Sequence, residues 1–293
     1  MPEDIIIPDI LPPSEDGIFK SILTREESKP VLRDVISSIL EVPVVEAVVR
    51  NAEPPITDIN EKREVFDVNC KLDGDKQAAV EMQSRNMQGD NMETEHPNIR
   101  GRSVLELCKL HASQPGRGSH YADLLKSYQI TFCNYTVFPE LGCFVNRFGF
   151  YNKEGYELSD SVGIIFVELT KLDKIMKKPV ENMTPAEMWA IFFKYGDSAK
   201  HKVLLDKIRD QRGEIEVATN VLTSISKDEV ERAHYRSRQI FQMDMASNYA
   251  ASRQQGAQQG HREEQDRVIA LIRAGYSLEQ LEAILLAERE NQQ

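Results

Sequence analysis

Residues 65–83 decide the fold of this chain, and they read Val65-Phe66-Asp67-Val68-Asn69-Cys70-Lys71-Leu72-Asp73-Gly74-Asp75-Lys76-Gln77-Ala78-Ala79-Val80-Glu81-Met82-Gln83. Polar and apolar residues alternate on both sides of Asp73-Gly74-Asp75, which predicts two β-strands joined by a hairpin turn. If Gly74 takes a positive φ in a three-residue loop, Leu72 pairs with Lys76. Asp67 then lies directly opposite Glu81 on the polar face, with the two Cβ atoms roughly 5 Å apart.

Two carboxylates at this separation repel each other unless a cation or a proton lies between them. Mg²⁺ and Mn²⁺ prefer hard oxygen ligands, so Asp67 and Glu81 are sufficient as the protein anchor for such an ion. A bound divalent ion activates water and neutralises charge on a phosphoryl oxygen. Gln83 shares the polar face, and its amide is able to hold the attacking water or donate to a phosphate oxygen. A solvated hairpin whose polar face meets water fits the same spacing.

The composition of the 293 residues is that of a folded protein, with 41% hydrophobic and 28% charged residues. This length suits one large domain with an appendage, or two modest domains. No apolar run approaches the ~20 residues of a membrane span, and the first residues lack a positively charged signal region. The four cysteines form no Cys-x-x-Cys pair, so we expect reduced, mostly buried thiols in a cytoplasmic protein rather than a zinc site.

The net charge of −11 argues against high-affinity binding of nucleic acid, because DNA-binding proteins usually carry a basic surface. Local basic clusters nevertheless occur, and each one fits either a DNA-facing patch or a solvated helix face. They are Lys171, Lys174, Lys177 and Lys178; Lys200, Lys202, Lys207, Arg209 and Arg212; and Arg232, Arg236 and Arg238.

The order of predicted elements indicates a mixed α/β core. A helix pair over 16–40 is followed by strands over 44–50, 65–72 and 77–83. A helix over 100–111 has Val104, Leu105, Leu107, Cys108 and Leu110 as its apolar positions, and strands follow over 127–137, 144–151 and 164–169.

Helices are predicted from Thr184 onward, where Thr184 and Glu187 form a capping box. The Gln-rich stretch 250–260 resembles a linker or a frayed helix. A terminal helical hairpin follows, with Gly275 ending its first helix and Ser277 with Gln280 capping its second. We therefore divide the chain into a domain over 1–250 and a small unit over 251–293. The acidic second helix favours oligomerisation over DNA binding by a helix-turn-helix.

Several motifs, in order, resemble the bacterial Rpn family of recombination-promoting nucleases, a branch of the PD-(D/E)XK nuclease superfamily. The family's Asp-x-x-Phe-Lys motif, its active-site hairpin and its later Glu-Leu-x-Lys strand are similar to segments of this chain, and aromatic residues follow at the usual place. The matching residues are Asp16-Gly17-Ile18-Phe19-Lys20, Phe66-Asp67-Val68, Val80-Glu81-Met82-Gln83, Arg100, Tyr121, Tyr128, Phe166 to Lys171, Trp189 and Phe192.

This resemblance implies a PD-(D/E)XK nuclease-like α/β core, with a mixed sheet flanked by helices and a helical C-terminal region. It implies that Asp67 and Glu81 bind the metal and that Gln83 stands where the wider superfamily has lysine. Lys20 would then restore a positive charge, and Asp16 would contact the metal through water. For Asp16 and Lys20, helix capping and surface solvation are the alternative interpretations.

The implied function is a Mg²⁺-dependent DNA endonuclease, with Mn²⁺ as a possible substitute, acting in recombination or DNA mobility. The implied partners are DNA and a second copy of the chain bound through the C-terminal helices, without a membrane. One alternative is a catalytically weak or inactive nuclease-fold protein that acts in DNA-associated assembly, defence or regulation. Another is a nuclease that cleaves RNA or foreign DNA.

Overall fold

A computed structural model describes residues 7–50, 68–74, 76–84, 99–114, 120, 124–277 and 280. The helices are α1 (Asp16–Thr24), α2 (Lys29–Leu40), α3 (Ile99–Ala112), α4 (Pro185–Tyr195), α5 (Lys202–Gln211), α6 (Gly213–Lys227) and α7 (Glu229–Arg273). The strands are β1 (Ala47–Val49), β2 (Val68–Leu72), β3 (Lys76–Gln83), β4 (Lys126–Cys133), β5 (Val145–Tyr151) and β6 (Glu157–Glu168).

The described strands form one mixed sheet in the order β1-β2-β3-β4-β6-β5. The pairs β3–β4 and β4–β6 are parallel, whereas β1–β2, β2–β3 and β5–β6 are antiparallel. Helix α3 connects the parallel strands β3 and β4, since parallel neighbours need a crossover connection. The predicted mixed α/β fold is confirmed.

The hairpin between β2 and β3 has the predicted register. Val68 pairs with Val80, and Lys71 pairs with Gln77. Gly74 has a φ of 52°, the left-handed conformation that glycine adopts most readily. The carboxylate of Asp73 accepts hydrogen bonds from the N–H groups of Val45 and Glu46, at 2.6 and 2.5 Å. This turn therefore also fixes the chain where it enters β1.

Helices α1, α2, α4 and α6 contribute to the main core on one face of the sheet. On this face three phenylalanines from α1, β4 and α4 meet, with the ring centroids of Phe19, Phe132 and Phe193 4.8–5.4 Å apart. Trp189 is fully buried beside them, and its indole N–H donates to Asp34 at 2.7 Å. Arg212 also pairs with Asp34, so the buried indole and the guanidinium share one carboxylate.

Helix α3 packs on the other face of the sheet, and its buried side differs from the predicted apolar stripe. Val104 and Leu105 are about half exposed, at 50% and 48%. The buried positions are Ile99, Ser103, Glu106, Leu107 and Leu110. Two polar residues thus face the sheet. The prediction is right for the helix and for Leu107 and Leu110, and it is wrong for Val104, Leu105 and the exposed Cys108.

The cysteines differ from the prediction in part. Cys70 and Cys133 are buried, whereas Cys108 and Cys143 are exposed. All four are free thiols, as expected of a chain without paired Cys-x-x-Cys motifs. Within the described residues, no helix is long and apolar enough to cross a bilayer.

The chain separates into two compact units, Met1–Ser237 and Arg238–Gln293. The Gln-rich stretch 250–260 is helical throughout as part of α7, so of the two predicted forms, a linker or a helix, the backbone has the helical one. Gly275 follows the end of α7 with a φ of 90°. Ser277 and Gln280 form both hydrogen bonds of the predicted capping box, while residues 281–293 lie outside the described part of the chain. The division at residue 250 stays a prediction.

Candidate active site

Glu81 lies near the end of β3, where the sequence predicts a metal ligand. Its side chain is only 2% exposed. The amide Nε2 of Gln83 lies 3.4 Å from Glu81 Oε2, a long and therefore weak hydrogen bond. The two residues share one face of the strand, as the alternation predicts. The structure therefore places a buried carboxylate beside a neutral amide.

Asp16 reaches the same strand end from helix α1. Its Oδ1 accepts hydrogen bonds from the N–H of Ser84 at 3.2 Å and from the Ser84 hydroxyl at 2.6 Å. Glu15 is the residue that caps α1, with its carboxylate accepting from the N–H of Ile18, so capping is not the role of Asp16. Asp16 is thereby fixed next to Gln83, the residue that precedes Ser84.

Of the other two predicted site residues, the structure describes Lys20 and does not describe Asp67. Lys20 lies one turn after Asp16 on α1 and is half-buried, and no described acidic residue forms an ion pair with it. Asp67 lies outside the described residues. Val68, the residue next to Asp67, pairs with Val80, the residue next to Glu81. This is the register for which the sequence predicts that Asp67 lies opposite Glu81.

Helix α3 places a second buried carboxylate close to the first. Glu106 is 1% exposed, and Arg102 lies between it and Glu81. Arg102 Nε donates to Glu106 Oε1 at 2.5 Å, and Arg102 Nη2 lies 3.8 Å from Glu81 Oε2. Glu106 Oε2 accepts from the amide of Gln129 on β4 at 3.2 Å.

A family model described as PD-(D/E)XK nuclease family transposase matches residues 13–252. The chain belongs to this family. The match extends from just before α1 into α7, so it includes every predicted site residue. No curated protein and no solved structure matches the chain.

The hairpin contains the residues that the sequence predicts as the active site of this PD-(D/E)XK transposase family member. Several residues around the hairpin were not predicted from the sequence. Arg102 and Glu106 were not predicted, because the prediction for α3 rests on its apolar positions alone. Thr131 was also missed: it pairs with Glu81 in the parallel β3–β4 ladder, and its buried hydroxyl has no hydrogen-bond partner among the described residues. Glu106 was detectable from its i, i+3, i+4, i+7 spacing with Ser103, Leu107 and Leu110.

Lys194 of α4 is a cation near the same strand ends that the sequence did not indicate. Its ammonium group hydrogen-bonds the side-chain oxygen of Asn134, and the Asn134 N–H donates to the carbonyl of Gln83 at 3.0 Å. Burial lowers the pKa of Lys194, and the nearby carboxylate of Asp197 partly opposes this shift. Burial likewise raises the pKa of Asp197.

Glu168 and Lys171, from the later motif, form an ion pair at 2.6 Å. Glu168 is fully buried and accepts four hydrogen bonds, from the N–H groups of Val137 and Phe138, the amide of Asn146, and Lys171. Lys171 also donates to two backbone carbonyls of the same loop. With every acceptor position occupied, this pair organises the loop between β4 and β5 instead of presenting a free carboxylate.

The described residues contain no group of three Asp, Glu, His or Cys side chains that could hold a metal ion. The donors that are described still suit a hard divalent ion, because Glu81 offers a buried carboxylate and Thr131 an unpartnered hydroxyl.

Proposed function

We propose that this protein is a Mg²⁺-dependent endonuclease that hydrolyses phosphodiester bonds in DNA, in recombination or DNA mobility, with Mn²⁺ able to replace Mg²⁺. The observation that carries the proposal is the buried carboxylate of Glu81, which lies beside Gln83 in a chain of the PD-(D/E)XK transposase family. A carboxylate this deeply buried needs a counter-charge, because desolvation strongly disfavours an isolated ion.

Glu81 and Asp67 are the residues that would hold the ion, and Asp16 would contact it through a water. Carboxylate oxygens are the ligands that Mg²⁺ prefers, and the ion usually keeps several waters. When bound, a divalent ion lowers the pKa of water and neutralises charge on phosphoryl oxygens. Asp16 supports this arrangement because its hydrogen bonds to Ser84 hold it at the end of β3.

Gln83 has the role of orienting the attacking water. Its amide offers one acceptor oxygen and two N–H donors, so it is able to accept from that water while donating to Glu81 or to a phosphate oxygen. A neutral amide does not remove the proton. Its contribution is therefore positional, and holding the reactants in line lowers the barrier without any change in its own charge.

The first test is nicking of supercoiled plasmid by the purified protein with Mg²⁺, with Mn²⁺ and with a chelator. We expect nicking by the wild type that needs the metal, and none by Asp67→Ala. Asp160→Ala is the matched control, since the Asp160 carboxylate pairs with Lys126 at the opposite end of β4. Lys126 is five residues along β4 from Thr131, the partner of Glu81, which is roughly 17 Å along a strand.

Equal nicking by Asp67→Ala and the wild type would show that the cleavage comes from another site or from a contaminant. Single-stranded DNA and RNA of the same sequence, tested beside the plasmid, identify the substrate class. Faster cleavage of RNA would replace DNA as the proposed substrate while keeping the same site.

A second candidate function is a nuclease-fold protein that assembles on DNA without cleaving it. Arg102 favours this candidate, because a guanidinium 3.8 Å from Glu81 already supplies part of the counter-charge that a metal would provide. Metal binding separates the two functions. Calorimetry that detects no Mg²⁺ or Mn²⁺ binding, together with DNA binding but no nicking, would favour assembly over hydrolysis.

A further inference from the structure

Arg102 lies between two buried carboxylates, although its own side chain is 49% exposed. It is one turn before Glu106 on α3, and Glu81 is on β3. Arg102 therefore contacts two buried carboxylates, those of Glu81 and Glu106, while part of its own side chain is at the protein surface. Burying two acids so close together is unfavourable unless a cation compensates them.

The contacts of Arg102 fix the direction of its guanidinium group. Its Nε edge donates to Glu106 at 2.5 Å, which is short for a charge-assisted hydrogen bond. The second oxygen of Glu106 is held by Gln129 at 3.2 Å, so the carboxylate cannot rotate freely. Nη2 lies 3.8 Å from Glu81, beyond hydrogen-bond distance, so that contact is coulombic. The Nε edge of the guanidinium is thus anchored at Glu106, and Nη2 lies beside Glu81 in the proposed reaction centre.

A positive charge at this place supplies what the neutral amide of Gln83 does not. Gln83 is neutral, and the residues that precede and follow it in the strand motif, Met82 and Ser84, are uncharged as well. Hydrolysis of a phosphodiester develops negative charge on the phosphoryl oxygens, and a fixed cation stabilises that charge most where water is excluded. The fork of a guanidinium matches two phosphate oxygens at once.

We propose that Arg102 is the cationic residue that contacts the scissile phosphate, and that Glu106 and Gln129 position it. This inference rests on the proposed endonuclease function. In the step, the oxygen of water bonds to phosphorus and releases a proton to solvent, one P–O ester bond breaks, and the leaving oxygen takes up a proton from solvent. Arg102 gives and receives no proton, since arginine stays protonated in proteins. It stabilises the charge that the phosphoryl oxygens carry.

The test compares Arg102→Gln and Arg102→Lys with the matched control Arg100→Gln. Arg100 is on the same helix and is similarly exposed, at 53%. Its guanidinium is directed to the carbonyl of Val137, to Glu140 and to the ring of Phe138, away from Glu81. For each protein, kcat and KM of plasmid nicking, Mn²⁺ affinity by calorimetry and the melting temperature are measured.

For Arg102→Gln we expect kcat to fall about 100-fold, as for removal of one donor to a developing charge, with Mn²⁺ affinity nearly unchanged. Millimolar guanidinium ion should restore part of this kcat. Arg102→Lys keeps the charge between the two acids without the planar fork, so we expect wild-type folding and a kcat about tenfold lower. Glu106→Gln should lower kcat by ~10-fold as a positioning residue. Arg100→Gln should match the wild type in kcat and in Mn²⁺ affinity, and its melting temperature should be lower because its contacts with Val137, Glu140 and Phe138 are lost.

Three results would overturn the assignment of Arg102 while leaving the endonuclease function in place: nicking by Arg102→Gln within threefold of the wild type, loss of nicking that guanidinium does not restore, or full kcat in Arg102→Lys. Should Arg102→Gln fail to fold, Arg102→Lys decides alone. Absence of metal-dependent nicking by the wild type would instead overturn the proposed function and, with it, this inference.

Discussion

Asp16 accepts two hydrogen bonds from Ser84, a residue 68 positions later in the chain. One donor is the backbone N–H at 3.2 Å and the other is the hydroxyl at 2.6 Å. Because Ser84 follows Gln83 directly, this contact joins the first turn of α1 to the end of the candidate site strand. Asp16 is exposed, so one of its oxygens is accessible to water while the other is held by serine.

Replacing Asp16 by alanine should weaken metal binding, because the side chain that would contact the ion through water is lost. We expect Mn²⁺ affinity, measured by calorimetry, to fall about 10-fold, the usual size of an outer contact to a metal site. Ser84→Ala is the control, since it removes the hydroxyl donor and keeps the carboxylate. Equal losses of affinity in the two variants would show that Asp16 only holds the strand end.

Replacing Glu81 by glutamine should abolish stabilisation by the metal. An ion that binds only the folded state at 100 times its Kd adds about 2.7 kcal/mol to the free energy of unfolding. The wild type should therefore melt several degrees higher in excess Mg²⁺, while Glu81→Gln should melt at the same temperature with and without the ion. Asp160→Asn, at the other end of the sheet, should behave as the wild type. A full metal-dependent shift in Glu81→Gln would exclude Glu81 as a ligand.

The hairpin was predictable because its information is local. Alternation over 68–83 fixes which residues share a face, and Gly74 fixes the turn, so the pairing of Val68 with Val80 follows from a few neighbouring residues. A one-residue slip would have moved Glu81 to the other face of the sheet. The register was therefore strongly specified by the sequence.

The surroundings of Glu81 were not predictable in the same way. Arg102, Glu106 and Gln129 come from a helix and a strand that follow the hairpin in the chain and reach it through the parallel β3–β4 crossover. Within α3, Val104 and Leu105 were predicted to face the core but are exposed. A pattern of apolar residues does not indicate where a helix buries polar side chains. Pairing with Arg102 and Gln129 is what allows Glu106 to be buried. The i, i+4 spacing of Arg102 and Glu106 is visible in the sequence, whereas no local spacing indicates Gln129 on β4.

Replacing Glu168 by glutamine should destabilise the protein without involving the metal site. The glutamine amide would place its own N–H groups against some of the donors that now bind the carboxylate of Glu168. Lys171 would lose its negatively charged partner. Breaking a buried pair of this kind costs about 3–5 kcal/mol of unfolding free energy, measured by urea denaturation. The double variant with Lys171→Met should lose less than the sum of the single losses. Strict additivity would mean that the two charges do not stabilise each other.

The thiols should divide into two classes by reactivity. Cys108 and Cys143 are exposed, whereas Cys70 and Cys133 are buried, and burial raises the pKa of each buried thiol. Because the thiolate is the reactive form, we expect two thiols to react rapidly with a disulfide reagent at pH 8 in the native protein and four in denaturant. Cys108→Ala should reduce the native count to one. A native count of four would contradict the burial of Cys70 and Cys133.

Cys70 should also make the protein less stable as the pH rises. Burial raises the pKa of this thiol from 9.0 to about 12. Between these values the unfolded chain has lost the proton and the folded chain keeps it, so the unfolding free energy falls as the pH increases, by up to about 1.4 kcal/mol per pH unit.

Cys70→Ala removes this contribution, so its stability relative to the wild type should improve between pH 9 and 11. Cys108→Ala, which removes an exposed thiol, should leave the difference constant, and urea denaturation at pH 8 to 11 measures both. Parallel stability curves for the wild type and Cys70→Ala would show that this thiol ionises as easily in the folded protein as in the unfolded chain.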